Sequence, residues 1–145
     1  MVSEADIQAA LSAYFAGINS ERYGDVGALF APDGELKAPG SRLLRGPKEV
    51  ETYFSAALGP YPEHLDEPTR ILLCGRTATV EIHFKGALAG GAAIEFDAVD
   101  VFDFDDEGRI TRLTSWYDSH DVRSRLREAR TAAGAGAAAP ESARQ

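Results

Sequence analysis

The sequence is poor in cysteine, in positive charge and in long apolar runs. Cys74 is the single cysteine of the 145-residue chain. An intrachain disulfide is therefore impossible, and nothing marks a secreted disulfide scaffold. The 15 Lys+Arg are outnumbered by 23 Asp+Glu, which leaves a formal net charge of −8. A nucleic-acid binder needs a basic face to displace counterions from phosphates, so that class is excluded. The same sign opposes docking on an anionic membrane surface. No apolar run reaches the roughly 18 residues that a membrane span needs. Met1-Val2-Ser3-Glu4 is acidic and lacks the basic-then-apolar order of a signal peptide. These absences leave an acidic, cytoplasmic, single-domain protein as the expectation. A chain of this length buries roughly two-thirds of its unfolded surface, so it folds without a disulfide or structural metal.

Periodicity divides the chain into two kinds of segment. Ser3-Glu4-Ala5-Asp6 reads as a capping box with Asp in the third helical position. After it, Ile7, Ala10, Leu11, Tyr14, Phe15 and Ile18 form one helical stripe to about Asn19. A short helix carrying Val26, Leu29 and Phe30 follows, broken at Pro32-Asp33-Gly34. Glu35 to Ala38 is a short strand. Gly46-Pro47 opens a third helix with Val50, Tyr53, Phe54, Ala57 and Leu58 on its apolar side. Gly59 to Pro68 holds three prolines and reads as a long loop. The period then changes to two, which predicts strands at Arg70–Cys74, Thr77–Leu88, Ala92–Asp105 and Arg109–Asp118. A short basic helix carries Arg123, Arg125, Arg127 and Arg130. Thr131 to Gln145 contains seven Ala, two Gly and one Pro and reads as a disordered tail after a 1–130 domain. Helices followed by strands predict an α+β fold, a cone-shaped barrel in which a curved antiparallel sheet packs on N-terminal helices around a cavity.

The third long strand carries the strongest chemical signal. Its even positions are Ile94, Phe96, Ala98, Asp100, Phe102 and Phe104, so one carboxylate sits within an apolar face. Such a carboxylate is costly unless paired or protonated. Either desolvation holds Asp100 neutral at pH 7, as a hydrogen-bond donor, or a buried Arg or backbone amides satisfy the ionised form. Tyr14 on the first helical stripe has two readings of its own, a core tyrosine or a cavity donor.

Two stretches then carry a resemblance: Leu11-Ser12-Ala13-Tyr14, and Phe96-Asp97-Ala98-Val99-Asp100-Val101-Phe102 continuing through Asp106-Glu107-Gly108-Arg109-Ile110 to Trp116-Tyr117. Over about residues 3 to 125 the chain resembles the ketosteroid isomerase and polyketide-cyclase superfamily, whose fold is that of nuclear transport factor 2. The resemblance implies that Tyr14 and a protonated Asp100 donate two hydrogen bonds to a substrate carbonyl oxygen, where negative charge develops. It also implies small-molecule substrates and a homodimer. The isomerases of this superfamily carry an Asp base where this chain has Ala38, and alanine moves no proton. The Asp-Arg-Asp set of the related epoxide hydrolases is replaced by Glu81, His83 and Ser115.

No substitute base stands out from the residues. His83 shares the outward parity of its strand, and His64 and Asp66 read as solvated loop residues. His64, His83 and His120 lack metal-ligand spacing, and neither metal nor cofactor is expected. The expected lining is Tyr14, Phe15, Ile18, Phe30, Ala38, Phe54, Val80, Ile82, Phe84, Phe96, Asp100, Phe102 and Trp116. A deep apolar pocket with two donors suits a large, mostly hydrocarbon substrate bearing a carbonyl. The expected activity is a polyketide-tailoring cyclase that promotes base-free ring closure. A double-bond isomerase of a steroid-like ketone and a non-catalytic binding module are the alternatives.

Overall fold

The computed structural model describes residues 1–137. Its first helix, α1 (Glu4–Asn19), starts at the capping box. The Ser3 backbone N–H donates to the Asp6 carboxylate at 2.9 Å, and the Asp6 N–H donates to the Ser3 hydroxyl at 3.1 Å. These two bonds satisfy amides that a helix start otherwise leaves free. After α1 come α2 (Tyr23–Gly27), β1 (Phe30–Lys37), β2 (Leu44–Arg45) and α3 (Pro47–Leu58). Then come β3 (Glu63–Cys74), β4 (Thr77–Ala87), β5 (Ala93–Phe104), β6 (Ile110–Trp116) and α4 (Ser119–Ala137). The fold is α+β, with the N-terminal helices packed on a curved six-stranded sheet of order β2-β1-β6-β5-β4-β3.

The sheet is mixed, not purely antiparallel, because β1 pairs with β6 in parallel. Residues 32–34 do not break the chain as expected. They lie inside β1, where the register with β6 shifts between Phe30 and Glu35. Gly34 makes this irregularity possible: a Cβ there would meet the Ile110 carbonyl oxygen at 2.7 Å. Phe30 accordingly belongs to a strand rather than to the short helix. The expected 59–68 loop is mostly β3, which begins at Glu63. β3 is an edge strand, and Pro68 sits where its register with β4 shifts. Both are places where a sheet tolerates a proline that donates no ladder bond. The expected 131–145 tail starts too early, since α4 runs to Ala137. The rest of that tail lies outside the described residues. Among the described residues, no helix is long and apolar enough to cross a membrane.

Two apolar clusters frame the interior. One joins Ile7, Leu11, Phe15 and Ile18 of α1 to Val80, Phe102, Phe104 and Leu113 of the sheet. The other joins Tyr61, Phe84, Leu88 and Ile94 to Val122 and Ala129 of α4. The inward residues of β5 pass from the second cluster to the first. Between the two clusters the packing opens into a cavity.

Candidate active site

The cavity measures about 270 Å³ and is lined from eight elements and the segments beside them. β5 contributes Phe96, Ala98 and Asp100, and β4 contributes Ile82 and Phe84. α1 contributes Tyr14, while α3 supplies Tyr53, Phe54, Ala57 and Leu58. Leu36, Ala38, Tyr61, Asp66, Leu113, Ser115, Tyr117, Val122 and Leu126 complete the wall. No Lys, Arg or His is among these lining residues. The volume lies just below the usual small-molecule range, so a ligand much larger than two fused rings must extend through the mouth.

Seven of the expected lining residues are in place: Tyr14, Ala38, Phe54, Ile82, Phe84, Phe96 and Asp100. Phe15, Ile18, Phe30, Val80 and Phe102 are not in the wall. They lie deeper, in the solid core between α1 and the sheet. Phe102 follows Asp100 by two residues on the same face, and there the cavity has already closed. Trp116 is on the opposite side of the sheet, 59% exposed. The cause is a bulge: Phe104 pairs with Ile110 but Asp103 pairs with Arg112, so one residue of β6 is extra. An extra residue flips the parity of everything after it. Ser115 and Tyr117 thus take the inward places.

Asp100 is 5% exposed and pairs across the sheet with Ser115. Burial pushes its carboxyl up to about 7, although the Ser115 hydroxyl, by hydrogen bonding to it, pulls the other way. The sequence left open whether a buried Arg satisfies this acid. The lining holds no cation, so desolvation dominates and the protonated form is favoured up to neutrality. The Tyr14 ring is held edge-on by Phe15 and Phe102, both with centroids at 5.0 Å. Burial first, then the Asp100 and Asp66 carboxylates, raises the Tyr14 hydroxyl well above the ordinary phenol value. The hydroxyl therefore stays protonated. Burial likewise lifts Tyr53, to about 12. The cavity thus offers proton donors to a ligand and no fixed positive charge.

Asp66 is the largest departure from the expected site. Instead of a solvated loop residue, it is a cavity-lining acid of β3. Burial pushes its carboxyl up to about 6, and the His64 ring draws it partly back. Its Oδ1 has no hydrogen-bond partner. Its backbone is gripped by Asn19 at the end of α1: the Asp66 N–H donates to Asn19 Oδ1 at 2.8 Å, and Asn19 Nδ2 donates to the Asp66 carbonyl at 2.9 Å. His64, whose side chain is 1% exposed, sets Nε2 at 3.1 Å from Glu21 Oε2. The other acidic and basic residues follow strand parity. His83 faces outward, with Nδ1 at 2.7 Å from Asp97 and Nε2 at 2.8 Å from Glu95. Ala38 faces the cavity, while the Lys37 ammonium donates to the Ser41 carbonyl at 2.8 Å.

Signals for the missed wall residues existed in part. Val122, Leu126 and Ala129 fall on one helical face behind the basic residues of α4. For Asp66 the chain gave none, because three prolines masked the strand.

Comparison with known proteins agrees with this fold. The family model of the SnoaL-like domain matches residues 11–113. A steroid Delta-isomerase of Nocardioides simplex is 26% identical over 132 residues, covering 81% of this chain and 94% of that protein. An LEH-like epoxide hydrolase of Mycobacterium tuberculosis superposes with a TM-score of 0.72 at 22% identity, covering 88% of this chain and 94% of that one. The epoxide hydrolase/cyclase-like enzyme SalBIII, described in pyran ring formation in the polyether salinomycin, gives 0.72 at 19% identity, with 83% and 97% covered. At such identities the two structures establish the shared fold alone.

Proposed function

This chain belongs to the SnoaL-like domain family, and on that basis we propose that it is a cyclase or isomerase acting on a carbonyl compound with an apolar body. The observation that carries this reading is the buried Asp100 carboxyl sharing one cation-free cavity with the Tyr14 hydroxyl. Both groups donate to the carbonyl oxygen. Their hydrogen bonds strengthen as negative charge grows on that oxygen, so they lower the barrier rather than merely bind. In the cyclase form, a flexible polyketide chain folds against Phe54, Phe84 and Phe96 until its reacting carbons meet. Holding two reacting groups together supplies much of the acceleration. A ring closure of cycloaddition type needs no base, and the indane-forming cyclase of the indanomycin pathway is the kind of catalyst meant. The enzyme acts in the cytoplasm without cofactor. As a homodimer, it scatters light with twice the single-chain mass at micromolar concentration, and a single-chain mass contradicts that assembly.

A second reading, double-bond isomerisation, is favoured by two observations. Asp66 puts a carboxyl in the cavity despite Ala38, and a relative is named a steroid isomerase. The test follows conjugated-enone absorbance from a β,γ-unsaturated ketosteroid, beside fluorescence titration with 2-naphthol, whose phenol mimics an enolate oxygen. Tyr14→Phe and Asp100→Asn should each weaken naphthol binding and slow any turnover by about tenfold or more. Parent-like values in both variants refute the donor role. A parent that binds naphthol but leaves the steroid unchanged excludes the isomerase and retains the cyclase.

A further inference from the structure

The cavity wall contains two carboxylic acids, and their surroundings differ in kind. Asp100 has a partner of its own, the Ser115 hydroxyl. Asp66 has an Oδ1 that is buried and unpartnered. A buried polar atom without a partner is costly and calls for an explanation. Poor positioning does not explain it. Asn19 satisfies both backbone groups of Asp66 and leaves the carboxyl free. Thus the main chain is fixed while the acid is kept open toward whatever fills the cavity.

We propose that Asp66 is the proton-accepting group of this cavity, acting on a carbon next to the carbonyl held by Tyr14 and Asp100. The assignment rests on the carbonyl-binding reading for its substrate class, a ketone with an acidic neighbouring C–H bond. Oδ1 of the carboxylate takes the proton. The C–H electron pair becomes the new C=C bond, and the carbonyl π pair moves onto oxygen, beside the hydrogens of Tyr14 and Asp100. Asp66, now a carboxylic acid, returns the proton to the same carbon or to the far end of a conjugated system. Atoms and charge balance without a co-reactant.

The neighbours suit this division of labour. The titratable groups acting on or near Asp66 are His64 on its own strand, Tyr14 of α1, Asp100 of β5, Tyr23 of α2 and Glu21 just before α2. His64 Nε2 engages Glu21 at 3.1 Å and the Tyr23 hydroxyl at 3.4 Å, while its Nδ1 is buried and unpartnered. This ring is the one neighbour that favours the carboxylate form of Asp66 against burial. A base needs that form before the proton moves.

The experiment measures deuterium exchange at the α-carbons of 2-tetralone in D2O by proton NMR, with 2-naphthol affinity recorded on the same samples. Both probes match a cavity of about 270 Å³. The parent should exchange faster than buffer, and Asp66→Asn should lose at least about 100-fold of that excess. Its naphthol affinity should stay within about twofold, which also reports that it folds. If Asp66→Asn does not fold, Asp66→Ser serves as the second non-titrating variant with the same expectation. Exchange at the parent rate in a folded variant overturns the assignment. So does a parent that binds naphthol and exchanges nothing. Naphthol affinity unchanged in Tyr14→Phe and Asp100→Asn refutes the donor pair instead. In that case a loss of exchange in Asp66→Asn still stands.

Discussion

Asp100 and Asp66 hold their protons more tightly in the folded chain than in the unfolded one, and this sets how stability depends on pH. Their ordinary value is 3.8, and burial raises them to about 7 and about 6. Between pH 4 and 7 the native state therefore binds more protons than the unfolded state. Stability must fall as pH rises through that window, and the loss is complete above it. For Asp100 the interval from 3.8 to about 7 corresponds to at most about 4 kcal/mol. Asp100→Asn should accordingly raise the melting temperature by several degrees at pH 8 and change it little at pH 4. Thermal scans at the two pH values check this, and an equal shift at both would mean that Asp100 is not held neutral. Asp100 was legible in the sequence because a period of two placed one acid within an apolar face. Trp116 was misplaced because the same period breaks at a bulge, and a bulge leaves no mark in composition.

α1 performs two tasks for the site. Tyr14 enters the wall from its apolar stripe, and Asn19 at its end pairs with Asp66 as a neighbouring strand would. β3 is an edge strand, so the Asn19 side chain occupies backbone groups that no strand reaches. Asn19→Ala removes both bonds at once. It should cost about 1–3 kcal/mol in chemical denaturation and speed amide exchange at Asp66. Unchanged exchange there would contradict the clamp. Neither β3 nor its clamp was legible in advance. Prolines argue against a strand in general, and only the position of β3 at the sheet edge makes Pro68 acceptable. The stripes of α1 and α3 and the long β4 and β5 were legible, because each runs long enough for its period to be unambiguous.

On the scale of the whole molecule, the cavity is the gap between two apolar clusters, and each residue acts according to its side of that boundary. Phe102 belongs to the solid side. Phe102→Ala should cost about 3–5 kcal/mol of stability, read by chemical denaturation. Trp116 belongs to neither cluster. Trp116→Ala should leave naphthol binding and tetralone exchange at parental levels. A loss of binding in Trp116→Ala without a change in oligomeric state would contradict the outward placement. Packing on both sides places two acids in a cavity wall that holds no Lys, Arg or His.

The most direct test of the central claim is a carbon-13 NMR titration of the aspartate carboxyls, with Asp100→Asn used to assign the resonance. The account requires the Asp100 signal to remain protonated at pH 6 and to titrate near 7, and to respond when 2-naphthol is added. An Asp100 that titrates near its ordinary value of 3.8 would be an ionised carboxylate at neutral pH. It could donate no hydrogen bond, and the carbonyl-polarising pair would be refuted.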